Sequence, residues 1–161
     1  MHNAFARSPV GRLLLLVACL AATTAARRDR RIVDRVSIGD ARSEREHAFE
    51  GDRVQSGQAG GRGFRQTQSW MRYALTVFDD TEVSIGCTFL VADTTSRTFE
   101  LVVEGRIIAT QAVAPGHLAE FEFRVPLELT RGRTNLLVTL RAVAGPTPPL
   151  LELRSVQDHN E

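Results

Sequence analysis

Four residues whose side chains are suited to binding a sugar lie close together in the sequence: His47, Arg65, Trp70 and Tyr73. The chain has one tryptophan and one tyrosine, and flat aromatic rings match the apolar C–H face of a sugar ring. Arg65 and His47 supply planar donors for its hydroxyl groups. We therefore expect any carbohydrate site at these four residues. Trp70 can alternatively be a core residue, and for Tyr73 the core of the domain is the favoured position.

Residue sets that catalyse reactions or bind metals do not assemble in this sequence. No zinc-ligand spacing joins the four histidines, which are His2, His47, His117 and His159. The run Gly60-Gly61-Arg62-Gly63 lacks the strand, helix and lysine of a phosphate-binding loop. Three aspartates are interpreted as turn residues rather than calcium ligands: Asp79, Asp80 and Asp93. We predict no catalytic residue, no metal site and no cofactor, with a hydrolase that uses two carboxylates as the minor alternative.

The N-terminal residues are typical of an export signal. Arg7 and Arg12 are basic, residues 13–20 are apolar, and residues 21–26 are small enough for a cleavage site. The apolar run is far shorter than the roughly 20 residues that span a bilayer. The sequence Leu16-Val17-Ala18-Cys19 also resembles the lipobox of bacterial lipoproteins, so lipidation at Cys19 is the alternative. We predict a signal peptide over 1–26 and an exported protein, in contact with a membrane only if Cys19 is lipidated.

Length and composition predict one ordinary domain after this signal. The chain has 161 residues, of which 43% are hydrophobic and 24% charged, enough for one sizeable core. Its formal net charge of +1 gives no reason to expect a nucleic-acid partner. We predict a basic neck over 27–32, a domain over 33–157 and a tail over 158–161. Cys87 lies in an alternating apolar run and is expected to be a buried side chain rather than a reactive thiol.

The domain shows the period-two alternation of β-strands. Strands are predicted from Trp70 onward, over 83–91, over 119–125, over 135–143 and over 150–156, and residues 97–113 predict a hairpin that bends at Glu104-Gly105. Residues 41–49 are expected to form a short helix or turn, and residues 51–68 loops around one short strand. Seven or eight short strands separated by turn residues predict an all-β fold, a jelly-roll-like antiparallel β-sandwich.

The order of several short motifs resembles a known family. The motifs are Val36-Ser37-Ile38-Gly39-Asp40, Ser43-Glu44-x-Glu46-His47, Ser56-x-x-x-Gly60, Arg65, Trp70, Tyr73, Arg97-x-Phe99-x-Leu101-x-Val103-x-Gly105, Ile108-Ala109-Thr110 and Leu129-Thr130-x-Gly132. In this order they resemble the C-terminal β-sandwich module of bacterial β-L-arabinofuranosidases, which are glycoside hydrolases of the family 146/127 type. The resemblance covers roughly residues 33–156.

The resemblance implies a non-catalytic module that supports substrate binding beside a catalytic domain. The catalytic domain of those enzymes, with its cysteine and zinc ligands, has no counterpart in this chain. The implied partners are a plant-type glycan that contains arabinose or a glycoside hydrolase catalytic chain. The alternative is a structural or protein-interaction module, such as a truncated remnant, that docks on a glycoside hydrolase or an envelope protein. Aromatic residues that the family often carries elsewhere are replaced here, so His47, Arg65 and Trp70 are the retained binding candidates.

Overall fold

The computed structural model describes residues 29–79 and 81–159, and the predicted signal peptide with Cys19 lies outside them. The elements in chain order are β1 (Asp29–Ser37), α1 (Ala41–Glu46), β2 (Glu50–Ala59), β3 (Arg62–Thr76), β4 (Val83–Leu90), β5 (Arg97–Val103), β6 (Arg106–Val113), β7 (Leu118–Val125), α2 (Leu127–Thr130), β8 (Asn135–Ala142) and β9 (Leu150–His159). Among these residues no helix is both long and apolar enough to cross a membrane.

The strands form two antiparallel layers. One layer has the order β6-β5-β8-β3-β2, and the other has the order β7-β4-β9-β1. Among the described strands, the layers join through one main-chain pairing, that of Arg65 in β3 with Leu150 in β9. The prediction of an all-β, jelly-roll-like antiparallel sandwich is confirmed, with nine strands in the described part of the chain instead of seven or eight.

The core lies between the two layers and is built by strand alternation. Leu101 and Phe99 of β5 are fully buried, as is Cys87 of β4, which is a free thiol. Phe89 of β4 meets Phe99 across the layers, with ring centroids 4.7 Å apart. The predicted hairpin over 97–113 is confirmed as β5 and β6. Its bend is Glu104-Gly105, both at positive φ (50° and 81°), which suits a tight two-residue turn.

The structure corrects the prediction of loops over 51–68. Most of this segment belongs to β2 and to the first half of β3, which pair from Glu50↔Arg72 to Ala59↔Arg62. Gly60 and Gly61, at φ 57° and 74°, form the two-residue turn between the strands. Positive φ at both central positions is what a type I′ hairpin turn requires, so these glycines mark a turn and not a loop. The predicted helix over 41–49 is confirmed as α1, which covers Ala41–Glu46.

The first and last strands extend beyond the residues whose apolar alternation predicts strands. β1 begins at Asp29 and pairs with β9 along its length, so the predicted neck over 27–32 overlaps a strand of the sheet. β9 continues to His159, which lies in the predicted tail over 158–161. The main-chain hydrogen bonds of the sheet order these polar residues, although the residues themselves show no apolar alternation.

Candidate functional site

The helix α1 brings a buried carboxylate to the inner side of β3. Asp40 caps the helix and accepts a hydrogen bond from the Ser43 amide at 2.7 Å, the usual role of an aspartate at this position. One turn into the helix, Glu44 is only 4% exposed. Its Oε1 accepts a hydrogen bond from the Gly39 amide at 3.0 Å. The cap therefore fixes the direction of the helix, and with it the place of the Glu44 carboxylate.

Arg65 forms a two-point ion pair with this carboxylate. Its Nε donates to Glu44 Oε1 at 2.9 Å and its Nη2 donates to Glu44 Oε2 at 2.7 Å. The guanidinium carbon also lies 5.5 Å from the centre of the Phe49 ring, within the range of a cation–π contact. The hydrogen bonds to Glu44 outweigh burial and raise the pKa of Arg65. Arg65, a predicted site residue, is thus held rigidly in its charged form.

His47 joins α1 to β1 instead of facing solvent. Its Nδ1 lies 2.6 Å from the Ser43 carbonyl oxygen, and its Nε2 lies 3.1 Å from Asp34 Oδ1. Asp34 Oδ2 in turn accepts a hydrogen bond from the Thr76 amide at 2.7 Å. Burial by itself would lower the pKa of His47, but the hydrogen bonds to Asp34 and Ser43 outweigh it and raise that pKa. Because both ring nitrogens have partners, we interpret His47 as a structural residue.

Tyr73 is a core residue. Its side chain is completely buried, and its ring stacks on Phe49 with centroids 5.0 Å apart. Its hydroxyl group has no hydrogen-bond partner among the described residues, and burial strongly raises the pKa of this phenol. A buried ring cannot stack on a sugar in solvent, so Tyr73 is removed from the predicted binding set, in agreement with the core alternative.

Trp70 lies on the opposite face of β3. It alternates with the buried Met71 and is half-buried on the outer face of the five-stranded layer. Its cross-strand neighbours are Asp52 in β2 and Arg141 in β8, both exposed. The guanidinium of Arg72 lies 5.4 Å from the centre of the Trp70 ring. We call these four residues, Trp70, Arg72, Asp52 and Arg141, the Trp70 face.

The neighbours of Trp70 are fixed by ion pairs along the sheet. Arg72 Nε donates to Glu50 Oε2 at 2.9 Å, and Arg141 Nε donates to Glu100 Oε2 at 2.7 Å. Both pairs are cross-strand neighbours, which is the arrangement that favours opposite charges on a sheet. The face therefore combines an aromatic ring with ordered donors and acceptors. The sequence prediction named Trp70 but none of these neighbours.

The four predicted residues do not form one site. His47, Arg65 and Tyr73 lie on the inner side, at or near α1, whereas Trp70 lies on the outer face of the same strand. Alternation along β3 could have indicated only part of this division, because Trp70 alternates with Met71 and Tyr73, whereas a register irregularity between Trp70 and Thr67 interrupts the alternation before Arg65. The signal was hidden by the interpretation of 51–68 as loops.

A groove opens beside Arg65 at the tip of the β2–β3 hairpin. Its volume is about 300 Å³, and its lining residues are Gly39, Ser56, Gly57, Gln58, Gly63, Phe64 and Arg65. We call it the Arg65 groove. The chain segments around it are packed closely, because a Cβ atom at Gly63 would lie 3.0 Å from the Ile38 carbonyl oxygen. A wider polar groove of about 400 Å³ lies on the four-stranded layer and is lined mainly by charged residues, including Arg30 and Glu122, which pair with each other.

No group of three or more His, Cys, Asp or Glu side chains within 29–79 and 81–159 is arranged to hold a metal ion. Asp79 Oδ1 accepts a hydrogen bond from the Gly132 amide at 2.5 Å, and Asp93 Oδ1 accepts one from the Thr95 amide at 3.1 Å. Asp93 therefore acts within its own loop, as turn residues do, whereas Asp79 joins the segment after β3 to the turn after α2.

Comparison with known protein families assigns this chain to a family. The profile of DUF6805, a family of unknown function, matches residues 28–155, which include nearly all of the described strands. The chain belongs to the DUF6805 family. No curated protein matches the sequence of this DUF6805 chain.

The solved structures with a similar fold include carbohydrate-binding modules. The DUF6805 chain is similar to a family 35 module from Clostridium thermocellum, with a TM-score of 0.54 and 10% identity over 80% of this chain and 97% of that one. It is equally similar to the CBM36-1 domain of a xylanase from the hindgut metagenome of Trinervitermes trinervoides (TM-score 0.54, 10% identity, 83% and 100% covered). A family 35 module from an environmental isolate has a TM-score of 0.55 and 16% identity, with 71% and 93% covered. At such identities the likeness establishes a shared fold.

Proposed function

We propose that this DUF6805 chain is a non-catalytic carbohydrate-binding module that binds a glycan on the Trp70 face. The observation that carries the proposal is the position of Trp70, a part-exposed indole on the open outer face of a β-sandwich. The carbohydrate-binding modules named above have the same fold, which supports this class of ligand. A sugar ring stacked on the indole would bury apolar area, and neighbouring charged groups would hydrogen-bond its hydroxyls.

The groups beside Trp70 suit a polyhydroxylated ligand. Arg72 and Arg141 are planar donors, and Asp52 is an acceptor on the other side of the ring. Because both arginines already pair with Glu50 and Glu100, the face has little net positive charge to attract an anion. This balance favours a neutral glycan. The resemblance to the arabinofuranosidase module makes arabinose-containing plant glycans the first ligands to test, and it is consistent with an exported protein.

Calorimetric titration with arabino-oligosaccharides and xylo-oligosaccharides tests the proposal. The Trp70→Ala variant is expected to bind at least about tenfold more weakly, which corresponds to about 1.4 kcal/mol, and Trp70→Phe to retain part of the affinity. Phe78→Ala is the matched control, because Phe78 is a 51% exposed aromatic residue after the end of β3. Absence of binding by the wild type, or full affinity in Trp70→Ala, would contradict the proposal.

Docking on a glycoside hydrolase is the second candidate function, and two apolar residues favour it. Ile107 and Leu137 are 50% and 43% exposed. Both lie on the outer face that carries Trp70. Leu137 of β8 pairs with Ala74, which shares this face of β3 with Trp70. Ile107 pairs with Val102, which in turn pairs with Thr139 on the same face of β8 as Leu137. Surface plasmon resonance with a purified arabinofuranosidase catalytic chain tests this function. Binding that is lost in Leu137→Asp but kept in Trp70→Ala would identify a protein-docking face.

A further inference from the structure

We propose that the Arg65 groove is a second saccharide subsite, in which the guanidinium of Arg65 donates hydrogen bonds to the hydroxyl groups of a neutral sugar. This inference rests on the proposed carbohydrate-binding function and concerns the other side of β3. It explains why an arginine that is bound so firmly to a buried glutamate also lines an open groove.

Glu44 orders Arg65 without using all of its donors. An arginine has five N–H groups in a rigid fork. The Nε–H and one Nη2–H bind the Glu44 carboxylate, and the other N–H groups have no partner among the described residues. The Arg65 side chain remains 22% exposed, while that of Glu44 is 5% exposed. The guanidinium therefore presents fixed donors to solvent, and a ligand would lose little side-chain entropy by binding to them.

The charge of the groove selects a neutral ligand. Among the described residues that line the groove, Arg65 is the one that carries a charge, and Glu44 neutralises it across two hydrogen bonds of 2.9 and 2.7 Å. A carboxylate or phosphate would therefore gain little Coulomb energy there and would be repelled by Glu44. Hydroxyl groups need only oriented donors and acceptors.

Two other lining residues can both donate and accept hydrogen bonds, as a sugar hydroxyl does. Ser56 is the cross-strand neighbour of Arg65, and Gln58 is that of Gly63. The Ser56 hydroxyl and the Gln58 amide can each donate and accept. Glycine at position 63 lets this wall pack closely on the segment after β1, since a Cβ atom there would lie 3.0 Å from the Ile38 carbonyl oxygen. A volume of about 300 Å³ is at the lower end for small-molecule sites, so we expect one or two sugar rings to fit.

The groove and the Trp70 face are separate binding places. Arg65 contacts Phe49, which stacks on the core residue Tyr73, whereas Trp70 lies on the outer face of β3 beside the exposed Asp52 and Arg141. A ligand in one place therefore does not require the other. Two sites on one module would raise the affinity for a branched or multivalent glycan without strengthening either contact.

Two-dimensional ¹⁵N–¹H NMR of the purified protein tests the inference with site resolution. Arabinobiose and xylobiose are titrated, with digalacturonate as the anionic comparison. We expect saturable shifts of the Arg65 Nε–H signal and of the Ser56 and Gln58 amides, and the same shifts in Trp70→Ala. Shifts of the Trp70 indole without shifts in the groove would overturn the subsite and leave the proposed function standing. Shifts at neither place would overturn both, and at least tenfold tighter binding of digalacturonate in the groove would overturn the choice of a neutral ligand.

Two variants separate binding from folding. Arg65→Lys keeps the charge beside Glu44 but removes the forked donors, and it is expected to abolish the groove shifts while the Trp70 indole still responds. Gln58→Ala changes an exposed side chain, so the fold is expected to be unaffected. It should weaken groove binding at least threefold, and unchanged groove affinity in both variants would contradict the assignment.

Discussion

The carboxylate of Glu44 accepts two hydrogen bonds from the guanidinium of Arg65, at 2.9 and 2.7 Å, although the two residues are 21 positions apart in the sequence. This pair connects α1 to β3 at the end of the sandwich where β2 and β3 turn. Glu44 is 4% exposed, and such a buried carboxylate requires a partner because desolvation of an isolated charge is costly.

Replacement of Glu44 by glutamine is expected to destabilise the fold by about 1–3 kcal/mol, since it leaves the Arg65 charge partly buried without its counter-ion. Urea unfolding followed by tryptophan fluorescence measures the change. Glu46→Gln is the matched control, because the Arg42–Glu46 pair is 83% and 58% exposed and solvent screens such exposed pairs, so that they contribute little to stability. An equal loss of unfolding free energy in Glu44→Gln and Glu46→Gln would show that the buried ion pair stabilises the fold no more than an exposed one.

Removal of the Tyr73 hydroxyl is expected to leave stability unchanged or to raise it by up to about 1 kcal/mol, because this buried group has no partner among the described residues. Thr67→Val is the contrasting variant. The Thr67 hydroxyl donates to the Asp52 carbonyl at 2.6 Å and accepts from the Ser69 amide at 2.9 Å, so its loss is expected to cost about 1–2 kcal/mol. If Tyr73→Phe lowers the free energy of unfolding as much as Thr67→Val does, the Tyr73 hydroxyl has a hydrogen-bond partner in solution.

The His47–Asp34 bridge predicts a stability that falls as pH rises above about 6.5. The pKa of His47 is raised in the folded state, so the folded protein holds a proton that the unfolded chain releases over that range. The stabilisation is complete below the unfolded pKa and is lost as pH passes through the folded one. Thermal unfolding at pH 5.5 and 8.5 measures this decline, which His47→Gln is expected to reduce.

Asp34→Asn provides the second half of this test. It removes the carboxylate that raises the pKa of His47, so the decline between pH 5.5 and 8.5 should shrink as in His47→Gln. The pKa of Asp34 itself is lowered, because hydrogen bonds from Thr76 and His47 outweigh burial, and its own contribution is lost only as pH falls below its ordinary value. A wild type that gains stability from pH 6.5 to 8.5 relative to both variants would refute the bridge.

Cys87 is expected to resist thiol reagents in the folded protein. Its side chain is fully buried, and burial raises the pKa of the thiol to about 12, whereas the thiolate is the reactive form. In a Cys19→Ser background, Ellman's reagent should therefore label Cys87 only after denaturation. Rapid labelling of the native protein would indicate that β4 opens to solvent.

Local alternation was sufficient to predict the apolar strands from Trp70 onward and part of the core. The sequence predicts that Cys87 is buried and that the hairpin over 97–113 bends at Glu104-Gly105, and the structure agrees on both points. These features depend on period-two side-chain placement and on residues that tolerate positive φ, and both are properties of a few neighbouring residues. The segment 51–68 was missed because Gly, Ser and Gln have low strand propensity, and cross-strand pairing overrides that propensity.

The sequence by itself determined the fold class, the buried alternate positions and the presence of one aromatic residue suited to a sugar. Only the tertiary structure decided that Arg65 pairs with Glu44, that His47 binds Asp34, and that Trp70 lies on the outer face beside Arg141. The physical reason is that strand register and helix docking are set by contacts between residues far apart in the chain, where the free energy of packing selects one arrangement among many that local patterns allow.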